Sequence, residues 1–357
     1  MNKSILCFHV GYIPDINDEN TKNTYGSEIA LVNISERFSK IYNVFIFGDA
    51  IYNEIVVNNV TYLNSNKFEN FQDNNEIEIT ILLRYIYPLL DFEIKSKKLY
   101  LWVQDIYPMI FYQNLSIYNK GKSLLKNLID KIDGVIALTN WHRNFLINFY
   151  EIEENKVIVI GNGIDITKFK NDIKKQKNKF IWTSHGYRGI ENLIDHFHEI
   201  KRRIPDAELY IYRDRTAFSD DIYDEMLKYD YIHYGGKLTN DELIKEFQSS
   251  DIWYYPTHFE ETYCISALEA QMSKCVCVTT DLAALSETVG NRGILIKDTI
   301  NTIKYKNNAV DQIINILNNE NLKKEYQELG HNWAIKQTWE NRINEWYELF
   351  DKNNKII

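Results

Sequence analysis

Along the chain, short apolar runs alternate with longer amphipathic ones. In the first half, "SILCFHV", "VFIF", "EITILL", "KLYLWV", "GVIAL" and "VIVI" are brief and rich in β-branched and aromatic residues. Helix-like stretches follow most of them, as in "GSEIALVNISERFSK", where Leu31, Ile34 and Phe38 recur at helical spacing. Continuous apolar strands separated by amphipathic helices predict a parallel sheet covered on both faces. The pattern then breaks at "DITKFKNDIKKQKNKF", residues 165–180, which is Lys-rich, lacks periodicity and reads as a linker. It resumes with "FIWTS", "AELYIY", "YIHY", "DIWYY", "CVCVTT" and "GILI". Two doubly wound α/β domains in tandem are expected, with a boundary near residues 165–178. The closing stretch "WAIKQTWENRINEWYELFDK" has Trp339, Ile343 and Trp346 at helical spacing and no strand after it, so it reads as a terminal helix packed on a finished domain.

A length of 357 residues suits two cores. The 45% hydrophobic and 25% charged content is that of a soluble globular protein. A formal charge of −9 argues against nucleic acid as a partner. The N-terminus reads as a first strand, since its apolar run is too short for a signal peptide. No run approaches the ~20 apolar residues of a transmembrane helix. Cys7, Cys264, Cys275 and Cys277 lack a disulfide framework's spacing. Cys275 and Cys277 alternate along an apparent strand and read as small buried hydrophobes. The chain reads as cytoplasmic and reduced.

Open parallel sheets bind ligands at the carboxyl ends of their strands, and a cleft between two such domains is a favoured place for a small molecule. One strand-end stretch, "HFEETYCISALEAQMSKCVCVTT", carries two acids eight residues apart, Glu261 and Glu269, around the predicted start of a helix. A helix N-terminus attracts anions and acceptor oxygens, and eight helical residues span roughly 12 Å. On spacing alone, the better explanation of the pair is Glu261 as a first-turn dipole partner and Glu269 as a solvated acid.

The segment resembles the E-x7-E signature of retaining GT-B glycosyltransferases, particularly glycosyltransferase family four. "ALEAQMSKCVCVTTDLAALSETVGNRGILI" looks like that family's continuation. "IVIGNGIDITKF" is similar to its N-G-(I/V)-D segment, here Asn162, Gly163, Ile164 and Asp165. "DKIDGVIALTNWHRNFLINFYEI", "KLYLWVQDIYP" and "GGKLTNDELIKEFQSSDIWYYPT" also resemble family segments, so the likeness covers about three quarters of the chain. It implies two Rossmann-like domains facing a cleft, with the terminal helix crossing back. Residues 1–167 would form the acceptor-side domain, 168–335 the nucleotide-sugar donor domain, and 336–357 the returning helix.

The resemblance also assigns roles. Glu261 contacts the donor sugar and Glu269 the nucleotide ribose. Thr262, Tyr263 and Cys264 line the donor, although Thr262 and Cys264 stand where many relatives carry glycine, which narrows the pocket. A cation must offset the charge leaving with the diphosphate. No DxD motif stands at a convincing strand end, because "SDDIYDE" reads as a helix start, and metal-independent transfer is expected. Arg188, before Gly189, resembles the family's Lys, while Thr183 takes the place of its Arg. Arg213 or Lys237 can supply the second charge, and Arg188 as an ordinary residue at a helix start is the competing reading. Gly26, Ser27 and Glu28 resemble the Gly-rich turn before the first helix, where Ser27 serves equally well as an N-cap. Gln104 and Asp105 are expected at a strand end in the cleft. There Asp105 either orients the acceptor hydroxyl or caps the next segment. His142, in a helix start, reads as structural.

The implied reaction moves a sugar from a nucleotide-sugar, a UDP-sugar favoured over a GDP-sugar, to a hydroxyl of a glycan or other acceptor, with retention. The nucleotide-sugar is a co-substrate, UDP or GDP is the product, and no tightly bound cofactor is implied. A nucleotide-sugar epimerase, a phosphorylase and a non-catalytic nucleotide-sugar-binding protein are the alternatives. The acidic chain, without a basic amphipathic helix, weighs against a membrane-held acceptor and leaves peripheral membrane contact open.

Overall fold

A computed structural model of the chain describes residues 3–10, 26–49, 54–86, 88–106, 125–169 and 173–354. Its contacts divide into two units, Met1–Gly163 with Trp339–Ile357, and Ile164–Thr338.

The first unit is built on an eight-stranded sheet. Its strands are β1 (Ile5–His9), β2 (Asn43–Gly48), β3 (Ile55–Val57), β4 (Val60–Asn64), β5 (Ile77–Leu83), β6 (Ser96–Trp102), β7 (Gly134–Ala137) and β8 (Val157–Val159). Their order is β3-β4-β2-β1-β5-β6-β7-β8. Helices α1 (Gly26–Phe38), α2 (Phe68–Asn74) and α3 (Asn140–Tyr150) connect them. Every described pairing is parallel except β3 with β4, an antiparallel hairpin that the strand pattern did not predict. Asn58 and Asn59 make its turn with φ of 49° and 63°. Asparagine enters that left-handed region more readily than other side chains, and two such residues in succession suit a tight hairpin. The direction of winding changes at β1, whose neighbours are β2 and β5.

The second unit has a six-stranded sheet, parallel in all its pairings. Its strands are β9 (Gln176–Trp182), β10 (Glu208–Ile211), β11 (Ile232–Tyr234), β12 (Ser250–Tyr255), β13 (Val276–Thr280) and β14 (Ile294–Ile296). The order β11-β10-β9-β12-β13-β14 is that of a dinucleotide-binding sheet, with its switch point between β9 and β12. The longer helices are α4 (Ile190–Arg203), α5 (Asp220–Leu227), α6 (Asn240–Ser249), α7 (Ile265–Met272), α8 (Ile303–Asn318) and α9 (Glu320–Ala334). Ser219 caps α5 by accepting from Ile222 N–H, so "SDDIYDE" is a helix start. One core joins Phe180, Trp182, Leu193, Phe197, Trp253, Tyr254, Val276 and Val278. Cys275 and Cys277 are buried within it, and all four cysteines are free thiols.

Two expectations need correction. The linker reading ran to residue 180, yet β9 begins at Gln176. Lys179 is buried in that strand because Glu246 and Ser249 accept hydrogen bonds from its ammonium at 2.6 and 2.8 Å. A polar stretch can thus form a strand when its charges find partners. The closing stretch is also not one helix. Trp333 and Ala334 finish α9, and α10 (Trp339–Asn354) starts afresh. Between them the backbone is drawn out, since Gln337 O accepts from Ile164 N–H at 2.8 Å and Thr338 bridges Ile164.

Helix α10 belongs to the first unit and lies on α1. Trp346 is fully buried, edge-on to Trp102 at 5.4 Å and to Phe38 at 6.1 Å, while Phe350 stacks on Phe38 at 5.5 Å. Gly163 permits the helix to start there: a Cβ would stand 2.7 Å from the Trp339 backbone nitrogen. Among the described residues no helix is long and apolar enough to cross a membrane. Trp346→Ala is expected to cost about 3–5 kcal/mol through the cavity it leaves, read as a lower midpoint in urea denaturation.

Candidate active site

In the second unit the chemistry gathers where the sheet changes direction. Past β9 come Thr183 and Ser184, then a single turn over Gly186–Arg188, then α4. Past β12 come Pro256 and the loop "THFEETYC" leading to α7. The two loops touch at Gly189, which has φ 117°, and a Cβ there would meet Pro256 O at 2.3 Å. Only glycine fits, both for its backbone angle and for the approach.

That contact brings Arg188 onto the second loop. Its Nη1 donates to Glu261 Oε1 at 2.9 Å, and its guanidinium lies 3.9 Å over the Phe259 ring. Tyr255 OH donates to the same Glu261 oxygen at 2.7 Å. The side chains of Arg188 and Glu261 are 29% and 11% exposed, so the pair is partly withdrawn from water. Burial is the largest influence and opposes the Arg188 charge, but Glu261, Tyr255 and Tyr187 together outweigh it and hold the guanidinium above its ordinary value. Among the described residues, Glu261 Oε2 and Arg188 Nη2 make no hydrogen bond.

Glu269 lives differently. It lies one turn and more into α7, is half-buried, and makes no hydrogen bond through its carboxyl among the described residues. Burial pushes that carboxyl up to about 7, with Lys168 pulling weakly the other way. Thr262 and Tyr263 are buried between the two acids. Cys264 precedes α7 with φ 68° and ψ 82°, the left-handed conformation that glycine favours. The backbone thus keeps a glycine geometry under a cysteine side chain. Ser266, in the first turn of α7, accepts from Thr183 Oγ1 at 3.3 Å, so Thr183 is tied to the helix start.

Other cations stand near. His185 is held below its ordinary pKa by burial, then by Arg213 and Arg188, so each arginine is within electrostatic reach of its ring. Asp214 is lowered chiefly by hydrogen bonds from Thr216, with smaller contributions from Lys237 and Arg213. Of the two expected second cations, Arg213 is the one that shares a neighbour with Arg188.

The first unit has its own cluster at the β1/β5 switch point. Arg84, just past β5, donates to Asp105 Oδ2 through Nε at 2.9 Å, and its Nη2 lies 2.8 Å from the same oxygen as an ion pair. Its Nη1 lies 3.5 Å from Glu28, whose carboxyl is raised by burial and partly offset by Arg84 and Ser27. Gly26 and Ser27 open α1 beside it, while residues 11–25, most of the loop expected on the acceptor side, lie outside the described residues. Asp105 is therefore an ion-pair partner whose side chain stays 46% exposed. Gln104 turns away to exchange hydrogen bonds with Asn162 at 3.2 and 3.4 Å. His142 is wholly buried, accepts Leu138 N–H at Nδ1, and is pushed down to about 3 by burial, so it is a neutral structural residue. Sequence reasoning missed Arg84, Tyr255 and Phe259. Arg84 offered only a faint sequence signal, a lone cation just after "EITILL".

Comparison with known proteins fits this geometry. Residues 151–333, just over half of the chain, match the family described as Glycosyl transferases group 1. An uncharacterized glycosyltransferase of Methanocaldococcus jannaschii is 24% identical over 227 residues, 62% of this chain. The match spans 60% of that relative's length. A glycosyltransferase from Rickettsia africae superposes with a TM-score of 0.77 at 14% identity, covering 100% of both chains. Anabaena HepE, solved in complex with UDP-glucose, superposes at 0.73 with 13% identity over 98% of this chain and 99% of its own. At such identities the likeness speaks for the fold, which is GT-B.

Gly189→Ala combines left-handed strain of about 1–2 kcal/mol with overpacking of about 1–3 kcal/mol. Gly236→Ala, also at positive φ but with nothing within 4 Å, carries the strain alone. Denaturation midpoints of the two variants are expected to separate in that order.

Proposed function

Since the chain belongs to the glycosyl transferases group 1 family, we propose that it moves a sugar from a nucleotide-sugar to a hydroxyl of a glycan or other acceptor. We infer retention of anomeric configuration and membership of glycosyltransferase family four, with a UDP-sugar favoured over a GDP-sugar. The observation that carries this reading is the contrast between two acids at one helix start. Glu261 is held by Arg188 and Tyr255, and Glu269 is half-buried with no hydrogen-bond partner among the described residues.

In this reading Glu261 Oε2 accepts from a hydroxyl of the donor sugar, and Glu269 accepts from the ribose hydroxyls. Arg188 meets the diphosphate through Nη2, with Arg213 as the second cation. Charge develops on the phosphate oxygen as the glycosidic bond breaks, and a cation held against the diphosphate stabilises it. The acceptor hydroxyl attacks on the face the diphosphate leaves, and its proton passes to the departing phosphate oxygen. Thr262, Tyr263 and Cys264 border the donor. The left-handed Cys264 backbone lets the first amides of α7 point outward, as an anion at a helix start requires. Asp105, oriented by Arg84, serves the acceptor hydroxyl together with Gly26 and Ser27. That HepE was solved with UDP-glucose supports the choice of uridine.

A thermal-shift screen against UDP, GDP, ADP and their sugar conjugates tests the donor reading. UDP at a hundred times its Kd should stabilise the fold by about 2.7 kcal/mol. Glu269→Gln should weaken UDP by about tenfold to a hundredfold, the worth of one or two hydrogen bonds to a charge. A pH series adds a sign. Ribose hydroxyls donate to the ionised carboxylate, while the free carboxyl is half protonated near its pKa of about 7. Affinity should therefore fall by up to about tenfold per pH unit below that value and level off above it. Flat affinity across that range, unchanged in Glu269→Gln, would remove Glu269 from the nucleotide site.

A further inference from the structure

Glu261 presents one oxygen to two donors, and the shorter bond comes from Tyr255. The Tyr255 ring is 1% exposed, set 5.2 Å from Trp182 and 5.1 Å from Trp253, so its hydroxyl has no room to swing aside. A phenol carries one proton. Burial, then the charge of Glu261, keep that proton on by raising the Tyr255 pKa well above its usual value. With the proton directed at Glu261, the Ser184 hydroxyl at 3.3 Å must be the donor in its contact with Tyr255. The result is a directed chain, Ser184 to Tyr255 to Glu261, in which each bond polarises the next.

Arg188 alone would not hold Glu261 in this orientation once a donor arrives. The guanidinium is the more exposed partner, and a diphosphate competes for it with more charge than a carboxylate. A carboxylate tied only to Arg188 would move with it. We propose that Tyr255 is the positioning residue of the donor-sugar site: it pins Glu261 Oε1, keeps Oε2 facing the sugar, and frees Arg188 to turn to the diphosphate. This inference rests on the nucleotide-sugar reading above.

The experiment uses the full chain with UDP and UDP-glucose, reading binding by calorimetry and UDP release from UDP-glucose with water as acceptor. In Tyr255→Phe, UDP affinity should stay within about twofold of wild type, while kcat for UDP release falls about tenfold or more, the loss of a hydrogen bond to a charged group. Unchanged kcat and unchanged UDP-glucose affinity would overturn the proposal. So would an equal loss of UDP and UDP-glucose affinity, which marks the ring as packing only. If the wild type binds neither ligand, the donor reading fails first and takes this inference with it. A wild type that binds and turns over beside a silent Tyr255→Phe leaves that reading standing and ends the inference alone. Should Tyr255→Phe unfold, Ser184→Ala carries the test, with the same split between UDP binding and kcat at roughly threefold, since it weakens the chain one bond further back.

Discussion

The second unit's site depends on one partly buried ion pair, Arg188 with Glu261. Withdrawing two charges from water costs several kcal/mol each, and their attraction repays this only with good geometry and further hydrogen bonds. The surroundings supply both. Phe259 lies under the guanidinium, Tyr255 adds a donor to the carboxylate, and Gly189 allows the two loops to meet. These residues come from the ends of β9 and β12, which adjoin because the strand order reverses there. Topology thus selects the loops, glycine sets their separation, and the ion pair fixes their facing side chains.

The two acids eight residues apart, Glu261 and Glu269, show how environment sets like groups apart. Glu261 is compensated before any ligand binds, so it can be rigid. Among the described residues Glu269 has no hydrogen-bond partner and its carboxyl is raised to about 7, so a ligand offering hydroxyl donors gains most by meeting it. Cys264 adds a second feature. A non-glycine residue held in the left-handed region is strained, and such strain collects at ligand sites.

Much of this was legible in the sequence, and the failures have physical causes. The parallel strands announced themselves as continuous apolar runs because both faces of each sheet are covered. The hairpin at Asn58–Asn59 escaped because its turn carries two asparagines and lacks the glycine that marks the strongest hairpin signal. The start of β9 escaped because Lys179 is a charged residue whose partner, Glu246, lies far along the chain. Among site residues, Glu261, Glu269 and Arg188 were findable from spacing and resemblance. Tyr255 was not, since a tyrosine inside "DIWYYP" reads as core until its hydroxyl is seen reaching Glu261. Arg84 was hidden for a related reason: its meaning comes from Asp105, 21 positions away and on the neighbouring strand's end.

A crystal structure of the protein with UDP-glucose tests the central claim most directly. The account predicts the ribose hydroxyls at about 3 Å from the Glu269 carboxylate, a glucose hydroxyl on Glu261 Oε2, and the diphosphate against Arg188. A nucleotide bound away from the start of α7, or bound there with Glu269 untouched, would contradict it.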